Sequence, residues 1–256
     1  MTFAPFREAL QTDLLARMPD HLARLGWSRC QIESYQRASL RALLGDAVER
    51  SPFHRERLPG IDVERFELED LSSLPVMTKA EMMARLGDVF TDRRLTPAMI
   101  EAALAATTSQ PAPILDRYIA LSSGGSSGQR GVFVVDREAL AQFVATLTRP
   151  LMARLRASGG PPPGGLRIAM IAAASAVHAT GCASPLTAGE RLPFRFLPVP
   201  VEGLTREFAE GATPVDVCAR TIRELTAVGA KHFYVSNLPL SRAQQTLTAI
   251  MDKVRN

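Results

Sequence analysis

"LSSGGSSGQRGVFVVD", Leu121 to Asp136, holds four serines and four glycines between two stretches rich in β-branched and aromatic residues. Upstream, Arg117 to Ser122 (RYIALS) has strand composition, and downstream Gly131 to Val135 (GVFVV) has it again. So short a link between two strands predicts neighbouring antiparallel strands joined by a loop of small residues. Such a loop lets several backbone N–H groups converge on one centre, an anion nest, while serine hydroxyls donate further hydrogen bonds. The phosphates of a nucleotide suit it. It is neither a Walker loop nor a dinucleotide fingerprint, because GxxxxGK[ST] and GxGxxG are both absent. The plainer alternative, a flexible Gly/Ser surface hairpin, stays open on composition alone.

Working outward, Asp136 is placed to cap a helix whose apolar stripe is Leu140, Phe143, Val144, Leu147, Leu151 and Leu155, with Pro150 expected to bend it. The breaker cluster SGGPPPGG (158–165) follows, and Leu166 to Ala174 then reads as a short buried strand. Strand, helix and strand again predict an α/β fold with a mixed sheet. The N-terminal part reads as helical, with Ile32, Tyr35, Leu40, Leu43, Leu44 and Val48 forming a stripe across Ser28 to Arg50, ended by Ser51-Pro52. An extended segment at Leu74 to Met77 leads to Thr78, an N-cap with Glu81 in the capping-box position. Thr96 to Thr107 gets no assignment. Beyond Arg206 the pattern is helical through Leu225, strand-like at Lys231 to Ser236, and helical again from Ser241.

Composition narrows the function. The net charge of +4 comes from 30 basic and 26 acidic residues spread along the chain without a run of like charge, which argues against a nucleic-acid partner. Cys30, Cys182 and Cys218 show no CxxC spacing, so a disulfide framework and a thiolate zinc site are both unexpected. His21, His54 and His232 lack metal-ligand spacing, and no metal ligand is assigned. The first residues, MTFAPFREAL, mix charges unlike a signal peptide, and no apolar run approaches the ~18 residues of a membrane span. A soluble, cytoplasmic protein without membrane contact is expected.

Ser123-Gly124-Gly125-Ser126-Ser127-Gly128-Gln129-Arg130-Gly131-Val132 resembles the phosphate loop of adenylate-forming enzymes, most closely the phenylacetate–CoA ligase branch. SPFHRERL (Ser51 to Leu58) and LPVMTKAEM (Leu74 to Met82) are similar to the SPFYRE-type and LPxTxK-type segments that precede that loop, and the resemblance spans roughly residues 28 to 200. It implies ATP with Mg2+, a small-molecule carboxylate, an acyl-adenylate intermediate and transfer to coenzyme A. Amides and hydroxyls around the β- and γ-phosphates would stabilise the charge leaving with pyrophosphate. Ser126, Ser127 and Gly128 fall where the family has Ser-Ser-Gly or Thr-Thr-Gly, whereas Gly124 replaces a usual Ser or Thr and Gln129-Arg130 a frequent Lys-Pro. Arg130 either supplies positive charge to phosphate or is a solvated hairpin arginine. His178 lies where the superfamily often has an aromatic or histidine residue at the acyl pocket; it otherwise reads as a loop histidine or a satisfied partner in the core.

The family's Tyr-Gly-x-Thr-Glu-like segment, its ribose-binding Asp and its C-terminal catalytic Lys find no match in this sequence. The expectation is therefore the N-terminal part of such a ligase at residues 1–200, with activity impaired or dependent on a partner chain that supplies the missing parts. Residues 201–256 form a tail of separate character. Within it, Cys218 to Pro239 resembles the last helix–strand step of a methylenetetrahydrofolate reductase-like barrel, though the match is too short for a barrel of about two hundred residues. Two other readings follow: a non-catalytic nucleotide- or acyl-binding domain, and a fragment of that reductase.

Overall fold

The structure is a computed structural model that describes residues 2–123, 130–170, 175–198, 209–227 and 242–255. It is mostly helical with a few short strands, broadly an α/β fold, and the chain divides into two compact units, Met1–Val199 and Pro200–Asn256. The expected strand at Lys231 to Ser236 lies outside the described residues.

In the first unit, helices α1 (Phe3–Ala23) and α7 (Arg137–Ala157) pack together over the main core. Phe3, Phe6, Leu10, Leu14 and Met18 recur every three or four residues along α1, so one face of that helix is apolar and buried. They meet Leu140, Ala141 and Ala145 of α7, Cys182 and Leu186 of α8 (Ala179–Thr187), and Phe194. Two polar groups enter this core with partners. Gln11 Nε2 donates to the carbonyls of Leu186 and Ala188, both at 3.0 Å, and His21 Nε2 lies 3.0 Å from Gln142 Oε1.

The buried face of α7 is not the expected stripe. Ala141, Ala145 and Thr148 are buried beside Leu140, whereas Phe143 and Leu147 are 53% and 62% exposed. The helix is turned so that its small residues face α1, because alanines let two helix axes approach where Phe and Leu would hold them apart. As expected, the helix runs on past Pro150 to Ala157. Asp136 caps it as expected, its Oδ1 accepting from Ala139 N at 2.7 Å.

Helix α2 (Arg29–Arg50) differs similarly from its reading. Only Leu44 is buried, and Ile32, Tyr35 and Leu43 are exposed. Polar side chains hold this helix instead: Arg37 and Arg41 both pair with Glu67, and Arg41 Nε donates to Phe66 O at 2.9 Å. Ser51 closes α2 and opens α3 (Pro52–Arg57); it is fully buried, its Oγ accepts from His54 N at 3.3 Å and donates to Asp88 O at 2.9 Å. The capping box at Thr78 and Glu81 starts α4 (Lys79–Ala84) as predicted, and α5 (Leu86–Val89) follows. The segment left without assignment is α6 (Pro97–Ala106), opened by Thr96 Oγ1 accepting from Met99 N at 3.2 Å with Pro97 in the first turn.

Strands β1 (Tyr118–Ser122) and β2 (Val132–Asp136) are antiparallel neighbours, as the loop predicted, with Ser122 opposite Val132 and Tyr118 opposite Asp136. A second core forms on one side of them from Leu86, Phe90, Leu95, Ile100, Leu104, Ile114, Ala120 and Val132. Strand β3 (Leu166–Met170) pairs in parallel with β4 (Phe194–Pro198), which the sequence reading missed. Gly165, at φ +75°, enters β3 close to the Pro193 carbonyl, where a Cβ would stand 3.2 Å from that oxygen. Among the described residues the expected single mixed sheet is thus two separate pairs. Residues 171–174, the rest of the expected strand, lie outside the description.

In the second unit, α9 (Pro214–Ala227) and α10 (Ala243–Arg255) pack through Val217, Ala219, Thr221, Ile222 and Ile250. Thr213 caps α9 through Asp216 N at 3.2 Å, and the Asp216 carboxylate pairs with Lys253. No described helix is long and apolar enough to cross a membrane.

Candidate functional site

The neck of the loop is built by its two ends. Ser123 N donates to Gly131 O at 2.9 Å, continuing the β1–β2 ladder, and Gly131 N donates to Ser123 Oγ at 2.8 Å, a side-chain clasp in place of the second ladder bond. Gly131 has a packing reason to be glycine. A Cβ there would stand 3.2 Å from the Phe133 ring and 3.3 Å from Ser123 Oγ. One of the four serine hydroxyls is thereby committed to shaping the neck. Gly124, Gly125, Ser126, Ser127, Gly128 and Gln129 lie outside the described residues.

His178 stands at this neck although it is far away in sequence. Its Nδ1 lies 2.9 Å from Ser122 O, while Ser122 N donates to Val177 O at 2.7 Å. A carbonyl can only accept, so Nδ1 carries a hydrogen. His178 is half-buried at the start of α8, where its own carbonyl accepts from Cys182 N at 3.0 Å. Cys182 is no nucleophile: burial pushes its thiol up to about 12, and Sγ donates to Ala176 O.

Arg130 is engaged. Its Nη2 donates to both carboxylate oxygens of Glu101 on α6, at 2.6 and 2.5 Å, with both side chains about half exposed. Glu101 was not among the residues singled out from sequence, and nothing in the spacing of 101 and 130 announces the pair. Elsewhere in this unit, the Arg94 guanidinium and the Tyr118 hydroxyl hold the Asp92 carboxyl well below the usual carboxylate range. The Tyr118 hydroxyl is pushed upward by burial and by that carboxylate.

The three sequence stretches that resemble one family are neighbours. Arg57 Nη2, from Ser51–Leu58, donates to the carbonyls of Pro75 and Val76 at 3.1 and 2.7 Å. Arg85 forks onto Glu56 at 2.6 and 3.1 Å and also reaches Asp88, which lowers the Glu56 carboxyl and raises the guanidinium. Met83, one residue past the second stretch, accepts at Sδ from Val132 N at 3.3 Å, just beyond the loop. Burial and Arg57 lower His54.

No group of three or more His, Cys, Asp or Glu among the described residues is arranged to hold a metal ion, and Glu101, the carboxylate at the loop's end, is taken by Arg130. A cavity of about 430 Å³ lined by Asp216, Val217, Arg220, Arg223 and Lys253 belongs to the second unit and contains none of the expected site residues. No family model, curated protein or solved structure matches the chain.

Proposed function

We propose that residues 123–131 are an anion-binding loop for the phosphates of ATP or pyrophosphate, in a divergent protein related to the phenylacetate–CoA ligase branch of adenylate-forming enzymes. The observation that carries this reading is the neck: Ser123 and Gly131 close it with two hydrogen bonds, and His178 is tied to its base. A closed neck fixes both ends of a small-residue segment at a strand end, and small-residue segments of this kind are the ones suited to an anion nest. The adjacency of the two preceding stretches supports the same relationship. In this reading Arg130 leaves Glu101 to meet phosphate, and His178 lines the side from which a carboxylate substrate approaches.

A second reading, a non-catalytic nucleotide- or acyl-binding domain, is favoured by the engagement of Arg130 with Glu101. Two measurements separate them. Pyrophosphate binding, expected in the millimolar range, should weaken in the double variant Ser126→Ala/Ser127→Ala; an unchanged affinity removes the loop from the site. Carboxylate-dependent ATP–pyrophosphate exchange marks the ligase, and binding without exchange marks the binding domain.

A further inference from the structure

The outer face of the parallel pair β3–β4 carries two arginines side by side. Arg167 and Arg195 are partners in the register, at the strand spacing of about 4.8 Å. Leu166, Ile168, Phe194 and Phe196 pack against the main core, so alternation puts Arg167, Arg195 and Leu197 on the opposite face. Arg167 and Leu197 are exposed there. Arg37 and Arg41, by contrast, share the Glu67 carboxylate. Arg167 and Arg195 have no ion pair among the described residues, and Arg195 Nε is buried with no hydrogen-bond partner. Like charges opposed across strands repel, and a buried donor without an acceptor is costly.

An anion from outside the chain, held at the guanidinium ends, relieves the repulsion between the two charges. We propose that Arg167 and Arg195 form a binding site for a dianionic phosphoryl group, either the free phosphate ion or a phosphate monoester. Two guanidinium forks match the two charges and several oxygens of that group, whereas a carboxylate neutralises only one of them. Leu197 offers an apolar shelf beside the forks for the organic part of a monoester. The site is independent of the loop at 123–131.

Calorimetric titration of the full chain with inorganic phosphate, phenyl phosphate and acetate at equal, low ionic strength tests it. Phosphate and phenyl phosphate should bind, acetate much more weakly, and Arg167→Gln or Arg195→Gln should each raise the phosphate Kd at least about tenfold, the loss of one charge-assisted hydrogen bond. Arg195→Lys keeps the charge without the fork and should recover only part of the affinity. The Ser126→Ala/Ser127→Ala variant should bind at this site like the parent. Tighter binding of phenyl phosphate identifies a monoester as the ligand, and equal binding identifies phosphate itself. Parent-like affinity in Arg167→Gln, or acetate binding as tightly as phosphate, overturns the proposal. Because Arg167 is exposed, its substitution carries the test even if Arg195→Gln fails to fold.

Discussion

Glu101→Gln should tighten pyrophosphate binding at the loop. In the free protein Arg130 donates to both Glu101 oxygens, and with the two side chains 48% and 54% exposed the pair is worth about 0.2–1 kcal/mol. If Arg130 turns to phosphate, that energy is given up on binding. Glutamine removes the charge at nearly constant shape, so the affinity gain is bounded by the same energy, about 1.4- to 5-fold. Long-range repulsion between Glu101 and the anion acts in the same direction, and salt screens it beyond about 10 Å at 0.1 M. The assay is a titration with pyrophosphate at low salt and again at high salt, with Glu49→Gln on α2 as a control for loss of one unit of charge. The gain should exceed the control and shrink with salt. An affinity that stays equal to the control, or falls, would refute the idea that Arg130 is held in reserve by Glu101. Arg130→Gln provides the complement, because the Glu101 effect should vanish in that background.

Further outcomes follow from other contacts. Thr78→Ala removes the side-chain cap of α4 and should cost about 1 kcal/mol, a fall in melting temperature of about 2–4 °C; an unchanged melt would mean the cap contributes nothing. Asp92 has a folded pKa below its unfolded value of about 3.9, so its stabilising contribution is complete above that pH and is lost as pH falls through the folded pKa. Asp92→Asn should therefore be less stable than the parent at neutral pH and lose less stability on acidification below about pH 4. Urea midpoints measured across that range check it, and parallel acid limbs for the two proteins would count against the Arg94 and Tyr118 contacts.

Local chemistry made much of the fold readable. Asp136 and Thr78 each announce a helix start through a side-chain oxygen and the residues just after it, and each cap is present, while Ser51-Pro52, expected only to end α2, also opens α3. Thr96-Pro97 carries the same kind of signal, an N-cap followed by proline in the first turn, and α6 was legible on that ground. Its alanine-rich run has too little polar contrast to show a period. The hydrophobic stripes of α2 and α7 misled for another reason. Periodicity identifies which residues share a face, but whether that face is buried depends on what the chain brings against it. Two alanines and a threonine on α7 faced α1 more closely than Phe143 and Leu147 could, and two arginines on α2 found Glu67.

The candidate site divides along the same line. Gly131 and Ser123 were legible because a short strand–loop–strand segment must close its own neck, a constraint contained within ten neighbouring positions. His178 was reached only through resemblance, since its link to Ser122 spans 56 positions and uses a backbone oxygen that every residue possesses. Glu101 left no trace at all: a lone carboxylate on an exposed turn of α6 resembles any solvated charge until the fold sets Arg130 beside it. Arg167 and Arg195 belong between these cases. Each alone reads as a polar residue in an alternating strand, and only the parallel register turns them into a pair. A chain can therefore display a loop's composition in its sequence while the charges beside that loop depend on tertiary contact, and those are the charges that the Glu101 substitution addresses, as the Arg167 and Arg195 substitutions address a separate pair.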